Sequence, residues 1–199
     1  MQYAKLGKRG PEVSTVGFGA WAIGGANWGP TDDEVSIRAL NEAIDRGVTL
    51  IDTADVYGFG HSEELIAQVI KERGKKNIVI ATKAGNDFYN ADSKDDKGYG
   101  AIKQTYTKDY IMFAAEQSLK RLRVEALDLL PLHSCKRQNL EKDDYFISSP
   151  GHFLGGNVVL PVTRVIYVNP GNYASLNQTQ KYDIARYIGK LNRLSPDRS

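Results

Sequence analysis

A chain of 199 residues, 41% hydrophobic and 25% charged, is long enough for one well-buried core and does not require a second domain. Its net charge of +2, with Lys and Arg scattered among acids, offers no footing for nucleic acid or an acidic membrane surface. A single cysteine, Cys135, excludes an internal disulfide.

No apolar run approaches the roughly 18 residues of a membrane helix. The start Met1-Gln2-Tyr3-Ala4-Lys5 does not read as a signal peptide, so the expected location is the cytoplasm. Residues 1–18 read as a short hairpin around Lys8-Arg9-Gly10-Pro11, followed by a strand from Val13 to Phe18. A Gly- and Trp-bearing loop runs from Gly19 to Pro30. Thr31-x-x-Glu34 then predicts a capping box that opens a helix, with Val35, Ala39, Leu40, Ala43 and Ile44 as its apolar stripe and Gly47 at its end. Val48 to Ile51 is short and continuously apolar, as a buried parallel strand should be.

The pattern repeats. Ser62 is the expected cap of a helix carrying Leu65, Ile66, Val69 and Ile70 and stopping near Gly74, with a strand from Ile78 to Thr82 after it. A polar loop fills Asn86 to Thr105. The next helix, Thr107 to Arg123, leads to a strand from Leu127 to Leu132, closed by His133. Strands alternating with helices predict an α/β fold of βαβ units on a parallel sheet, the grammar of a (β/α)8 barrel. In such a barrel the carboxyl ends of the strands build the active site.

Asp52, Lys83 and His133 fall at those ends, and Tyr57 lies just past one. A tyrosine is a poor acid near neutral pH unless a cation favours its phenolate. Lys83 can be that cation, Asp52 can hold it charged, and His133 can bond the same substrate oxygen. Taken singly, each reads more readily as structural: an Asp52–Lys83 ion pair, a Tyr57 ring packed at the rim. Four such residues at matching strand ends favour a site. Cys135 follows His133-Ser134 and invites a Cys/His nucleophile, although a lone thiol in a coil-like stretch is more often incidental. His61 reads as a helix-start residue; a metal role would need partner ligands that the sequence does not show, so no metal is expected.

The stretches Val16-Gly17-Phe18-Gly19-Ala20-Trp21, Asp52-Thr53-Ala54-Asp55-Val56-Tyr57-Gly58 with His61-Ser62-Glu63-Glu64-Leu65, Thr82-Lys83, and Asp128-Leu129-Leu130-Pro131-Leu132-His133 resemble the aldo-keto reductases. The resemblance covers about residues 3–134. It implies a (β/α)8 TIM-barrel fold with an N-terminal β-hairpin, NADP(H) as cofactor, and reduction of small-molecule aldehydes or ketones to alcohols. It assigns Tyr57 as general acid, Lys83 and Asp52 as the groups that tune it, and His133 as the residue that orients the carbonyl. Gly19, Ala20, Trp21 and Asp52 become expected cofactor contacts, and Trp21, Trp28 and Phe59 expected pocket residues, with loop packing the alternative for those three.

Beyond His133 the grammar changes. Pro131 sits inside a strand whose ladder its missing N–H should break. Residues 135–180 resemble nothing familiar, though Val158 to Val168 looks like strand interrupted by Pro161. Arg186 to Asn192 faintly resembles the family's sixth strand, which makes Asn192 a candidate cofactor contact. A complete barrel typically needs about 250 residues, and 66 follow His133 in this chain of 199. The expectation is therefore an incomplete barrel: residues 1–134 as its N-terminal part and 135–199 as an atypical C-terminal segment. Two readings follow. One is an NADP-dependent reductase, its wall completed by a second copy of the chain; the other is a non-catalytic truncated or regulatory homologue. No nucleic-acid or membrane partner is expected.

Overall fold

The computed structural model describes residues 1–6, 10–26, 28–90 and 102–135, and the backbone of 165–166. An antiparallel pair, β1 (Tyr3–Lys5) and β2 (Glu12–Ser14), opens the chain, with Tyr3 opposite Ser14. The expected strand from Val13 to Phe18 is two strands. It divides after Ser14, whose hydroxyl donates to the Val16 carbonyl and accepts from the Thr49 amide. The second piece is β3 (Gly17–Gly19).

β3, β4 (Leu50–Asp52) and β5 (Val79–Ala81) run parallel, with Gly19, Asp52 and Ala81 in line at their carboxyl ends. Every residue of the three is buried, as expected for strands covered on both faces. Alternation divides them cleanly. Phe18, Ile51 and Ile80 face the helices and join Leu40, Leu65, Ile66 and Val69 in the main core. Leu50, Val79 and Ala81 face the other way and pack with Val13 of the hairpin.

The crossover helices are α1 (Asp33–Asp45), α2 (His61–Arg73) and α3 (Lys108–Leu122). α1 is capped by Asp32 rather than Thr31: Asp32 is extended, and its carboxylate accepts from the Val35 amide at 3.0 Å. α2 is not capped by Ser62. Gly60, at φ +101°, turns the chain into the helix two residues earlier, and Ser62 lies buried in the first turn. Thr107, expected as the first residue of the helix, instead caps α3, accepting from Tyr110 N. Gly47 and Gly74 follow α1 and α2 with positive φ. The long polar loop carries a short ribbon at its base, β6 (Asn86–Asp87) against β7 (Lys103–Gln104).

Leu129 and Leu132 bridge to Ala81 and Ala84, so the fourth strand position lies beside β5 as expected. It makes two isolated bridges rather than the continuous strand predicted over Leu127 to Leu132. Leu129 N and His133 N donate to Ile80 and Ala84, and Pro131, standing between them, has no N–H to give. On the far side of β3 runs β8 (Val165–Ile166), parallel, with Gly17 opposite Val165. The rest of the expected segment from Val158 to Val168, and Asn192, lie outside the described residues.

Asp32→Ala is expected to cost about 1 kcal/mol of stability in urea unfolding, and Thr31→Ala clearly less. Equal losses, or a larger loss at Thr31, would contradict the observed cap.

Candidate active site

Because residues alternate across the sheet, the inward line that contains Asp52 and Ala81 continues to Lys83. The Lys83 ammonium lies 2.8 Å from Asp52 Oδ2, 2.7 Å from the Thr53 carbonyl and 3.3 Å from the Tyr57 hydroxyl. Its Nζ is also 4.9 Å from the centre of the Tyr57 ring. Burial lowers the Lys83 pKa, and the Asp52 carboxylate pulls it back up. The pair is therefore a buried charge with its counter-charge in contact, the arrangement in which a buried ion is retained.

Tyr57 reaches this point through an unusual turn. Tyr57–Gly60 forms a 3-10 turn in which Gly58 and Phe59 both have positive φ. Gly58 lies against the backbone of Gly24, and a Cβ there would fall 2.1 Å from the Gly24 carbonyl. Only glycine fits that approach, and it fixes the Tyr57 side chain over the strand ends.

His133 completes the set. Its ring meets Tyr57 edge-on, with centroids 5.6 Å apart. Burial, reinforced by the nearby Lys83 charge, lowers its pKa to about 4, so the imidazole is neutral at physiological pH. Its Nδ1 is buried with no hydrogen-bond partner among the described residues. All four residues named from the sequence thus meet in one place.

The expected cofactor and pocket residues are placed as follows. Gly19 and Ala20 lie at the end of β3. The Ala20 amide donates to the Asp52 carbonyl, and its own carbonyl accepts from Ser62, so its polar groups serve the frame. The Trp21 ring stacks on Tyr57 at 5.9 Å and meets Trp28 edge-on at 5.2 Å. Trp28 Nε1 is buried with no partner among the described residues. The Phe59 ring packs at 5.9 Å from that of Phe88. His61 contacts Asp33 at 2.8 Å and links α2 to the start of α1. Burial raises the pKa of the Cys135 thiol, which disfavours the thiolate a nucleophile needs.

Three residues went unread in the sequence. Asp55 is fully buried, and burial followed by the Glu63 charge raises its pKa well above the usual carboxylate range. Glu63 is also fully buried, and its carboxylate accepts from Arg121 at 2.6 Å. Asp55 stands in the same stretch as Asp52 and Tyr57, and a second acid there was the available signal. Glu63 and Arg121 are 58 positions apart and look like ordinary helix-surface charges.

The Aldo/keto reductase family profile matches residues 15–147. The chain belongs to the aldo-keto reductase family. It is 40% identical over 134 residues to aldo-keto reductase YhdN of Bacillus subtilis, an alignment covering 67% of this chain and 38% of that protein. It is 36% identical over 122 residues to aldo-keto reductase yakc [NADP(+)] of Schizosaccharomyces pombe, covering 61% of this chain and 34% of that one. Among solved structures it resembles the holo form of aldo-keto reductase AKR11C1 from Bacillus halodurans, with a TM-score of 0.59 and 29% identity over 70% of this chain and 42% of that one. The chain thus spans about two-fifths of the length of these relatives, and its fold is the corresponding part of a (β/α)8 barrel. Among the described residues, no helix is long and apolar enough to cross a membrane, and no group of three or more His, Cys, Asp or Glu is arranged to hold a metal.

Nitrogen-15 NMR of the imidazoles is expected to show His133 neutral down to a midpoint of about 4. A folded pKa below the unfolded value means that the unfolded chain binds the extra proton. His133 should therefore cost stability as pH falls from about 6.5, the unfolded value, towards 4, and nothing above that window. A midpoint near the unfolded value would contradict the burial described.

Proposed function

We propose that this aldo-keto reductase chain reduces an aldehyde or ketone to an alcohol with NADPH, its described part supplying the proton. The observation that carries this reading is the direction of one hydrogen bond: the Lys83 ammonium donates to the Tyr57 oxygen. A phenol oxygen that accepts from a cation keeps its own O–H as donor, and the cation stabilises the phenolate left once that proton has gone. Asp52 and the Thr53 carbonyl hold the ammonium at that oxygen. A neutral His133 ring, edge-on to Tyr57, is suited to orient a carbonyl oxygen by hydrogen bonding, without a second positive charge in a site that already buries Lys83.

NADPH would supply the hydride when bound. Gly19, Ala20, Trp21 and Asp52 stand at the strand ends where its nicotinamide would lie, and Asn192 is a further candidate from the sequence. The buried Trp28 Nε1 and His133 Nδ1, without partners among the described residues, suit a site whose other half is a polar ligand. Trp21 and Trp28, packed beside Tyr57, are the proposed apolar wall for the substrate, with Phe59 against Phe88 a further candidate.

Carbonyl-dependent oxidation of NADPH is the expected activity on a panel of small aldehydes. Tyr57→Phe should lower kcat by about a hundredfold or more and leave NADPH binding, read by quenching of Trp21 and Trp28, unchanged. Binding without turnover in the wild type would overturn the catalytic reading and point to a binding role.

A further inference from the structure

The first turn of α2 touches the ends of three successive strands. Ser62 Oγ donates to the Ala20 carbonyl, just past β3, and lies 2.9 Å from Thr53 Oγ1, just past β4. Glu63 Oε1 accepts from Thr82 Oγ1 at 2.5 Å, just past β5. Ser62, Glu63, Ala20, Thr53 and Thr82 are all fully buried.

Glu63 is gripped from the other side by Arg121 of α3, Nε to Oε2, and Arg121 continues to the Tyr89 hydroxyl at 2.8 Å. The guanidinium is packed against Gly60, where a Cβ would fall 2.5 Å from Arg121 Cδ. Thr53 and Thr82 are the immediate neighbours of Asp52 and Lys83. Alternation sends the threonines outward to α2 and the two charged side chains inward to Tyr57.

We propose that Glu63, braced by Arg121 and acting through Thr82, is a positioning residue that sets where Lys83 presents its ammonium to Tyr57. This inference rests on the proposed role of Tyr57 as proton donor. A carboxylate shared between a hydroxyl and a guanidinium is a charge-assisted, directional tie. Holding the strand end by such a tie fixes the backbone from which Lys83 projects. Lys83 is held at the same rung from the inside, where its carbonyl accepts from the Asp55 amide at 3.1 Å. Tenths of an ångström matter here, because the Lys83–Tyr57 distance is already 3.3 Å, near the limit of a hydrogen bond.

The test is the ionisation of the Tyr57 phenol, followed by ultraviolet difference titration with the Tyr57→Phe trace subtracted to remove the other tyrosines. Thr82→Val keeps the shape and deletes the hydroxyl, Thr82→Ser restores it, and Glu63→Gln removes the charge. Thr82→Val should raise the Tyr57 midpoint by about one pH unit, as expected when a cation withdraws, and Thr82→Ser should leave it at the wild-type value. An unmoved midpoint in folded Thr82→Val overturns the proposal. Loss of folding in both Thr82→Val and Glu63→Gln would make the tie purely structural and overturns it equally. The titration needs no turnover. An inactive wild type whose Tyr57 midpoint responds as described would fail the catalytic reading and keep this one.

Discussion

A buried lysine ammonium is the constraint on which this site depends. Burial alone favours the neutral amine, and a neutral Lys83 would do nothing for the acidity of Tyr57. The Asp52 carboxylate, at 2.8 Å, opposes that tendency. An ion pair of this kind adds little net stability, because desolvation of both partners offsets their attraction; breaking it by removing one partner typically costs about 3–5 kcal/mol. What it secures is a charge at a defined place, beneath a phenol and beside an imidazole that has no charge of its own.

The sheet makes this possible by giving each strand end two faces. Asp52 and Lys83 point inward, and Thr53 and Thr82 point outward, one residue later on β4 and one residue earlier on the β5 side. The inward face presents Asp52 and Lys83 to Tyr57, and the outward face is tied to α2 by Ser62 and Glu63. The same backbone rungs thus serve two networks, a one-residue slip in either strand would exchange them, and the register observed is the one that keeps both satisfied.

Much of this was legible in the sequence, for physical reasons that can be named. Short apolar runs ending in Asp52 and Lys83 announce buried parallel strands, and the residue that ends such a run stands at the mouth of the sheet. Pro131 announced its own effect, since an imino nitrogen cannot donate, and the bridges on either side of it show the gap. Thr31 misled because Thr-x-x-Glu and the overlapping Asp32 offer two caps one residue apart, and only the extended backbone of Asp32 decides between them. Ser62 misled because a cap and a buried hydroxyl look alike in one dimension, and the left-handed Gly60 shifts the helix start. Glu63 and Arg121 gave no signal, because their partnership exists only once α2 and α3 pack side by side.

Membership of the aldo-keto reductases and the meeting of the four residues support the proposed reading, in which the described part of the chain delivers the proton to a carbonyl. The central claim is that Asp52 keeps the buried Lys83 charged against Tyr57. Lysine Nζ NMR on a nitrogen-15-labelled sample measures that directly. The account predicts a protonated Lys83 at pH 7 in the wild type, and a Lys83 whose pKa falls by at least about one unit in Asp52→Asn. A Lys83 that is neutral at pH 7 in the wild type, or whose titration is indifferent to Asp52→Asn, would contradict it.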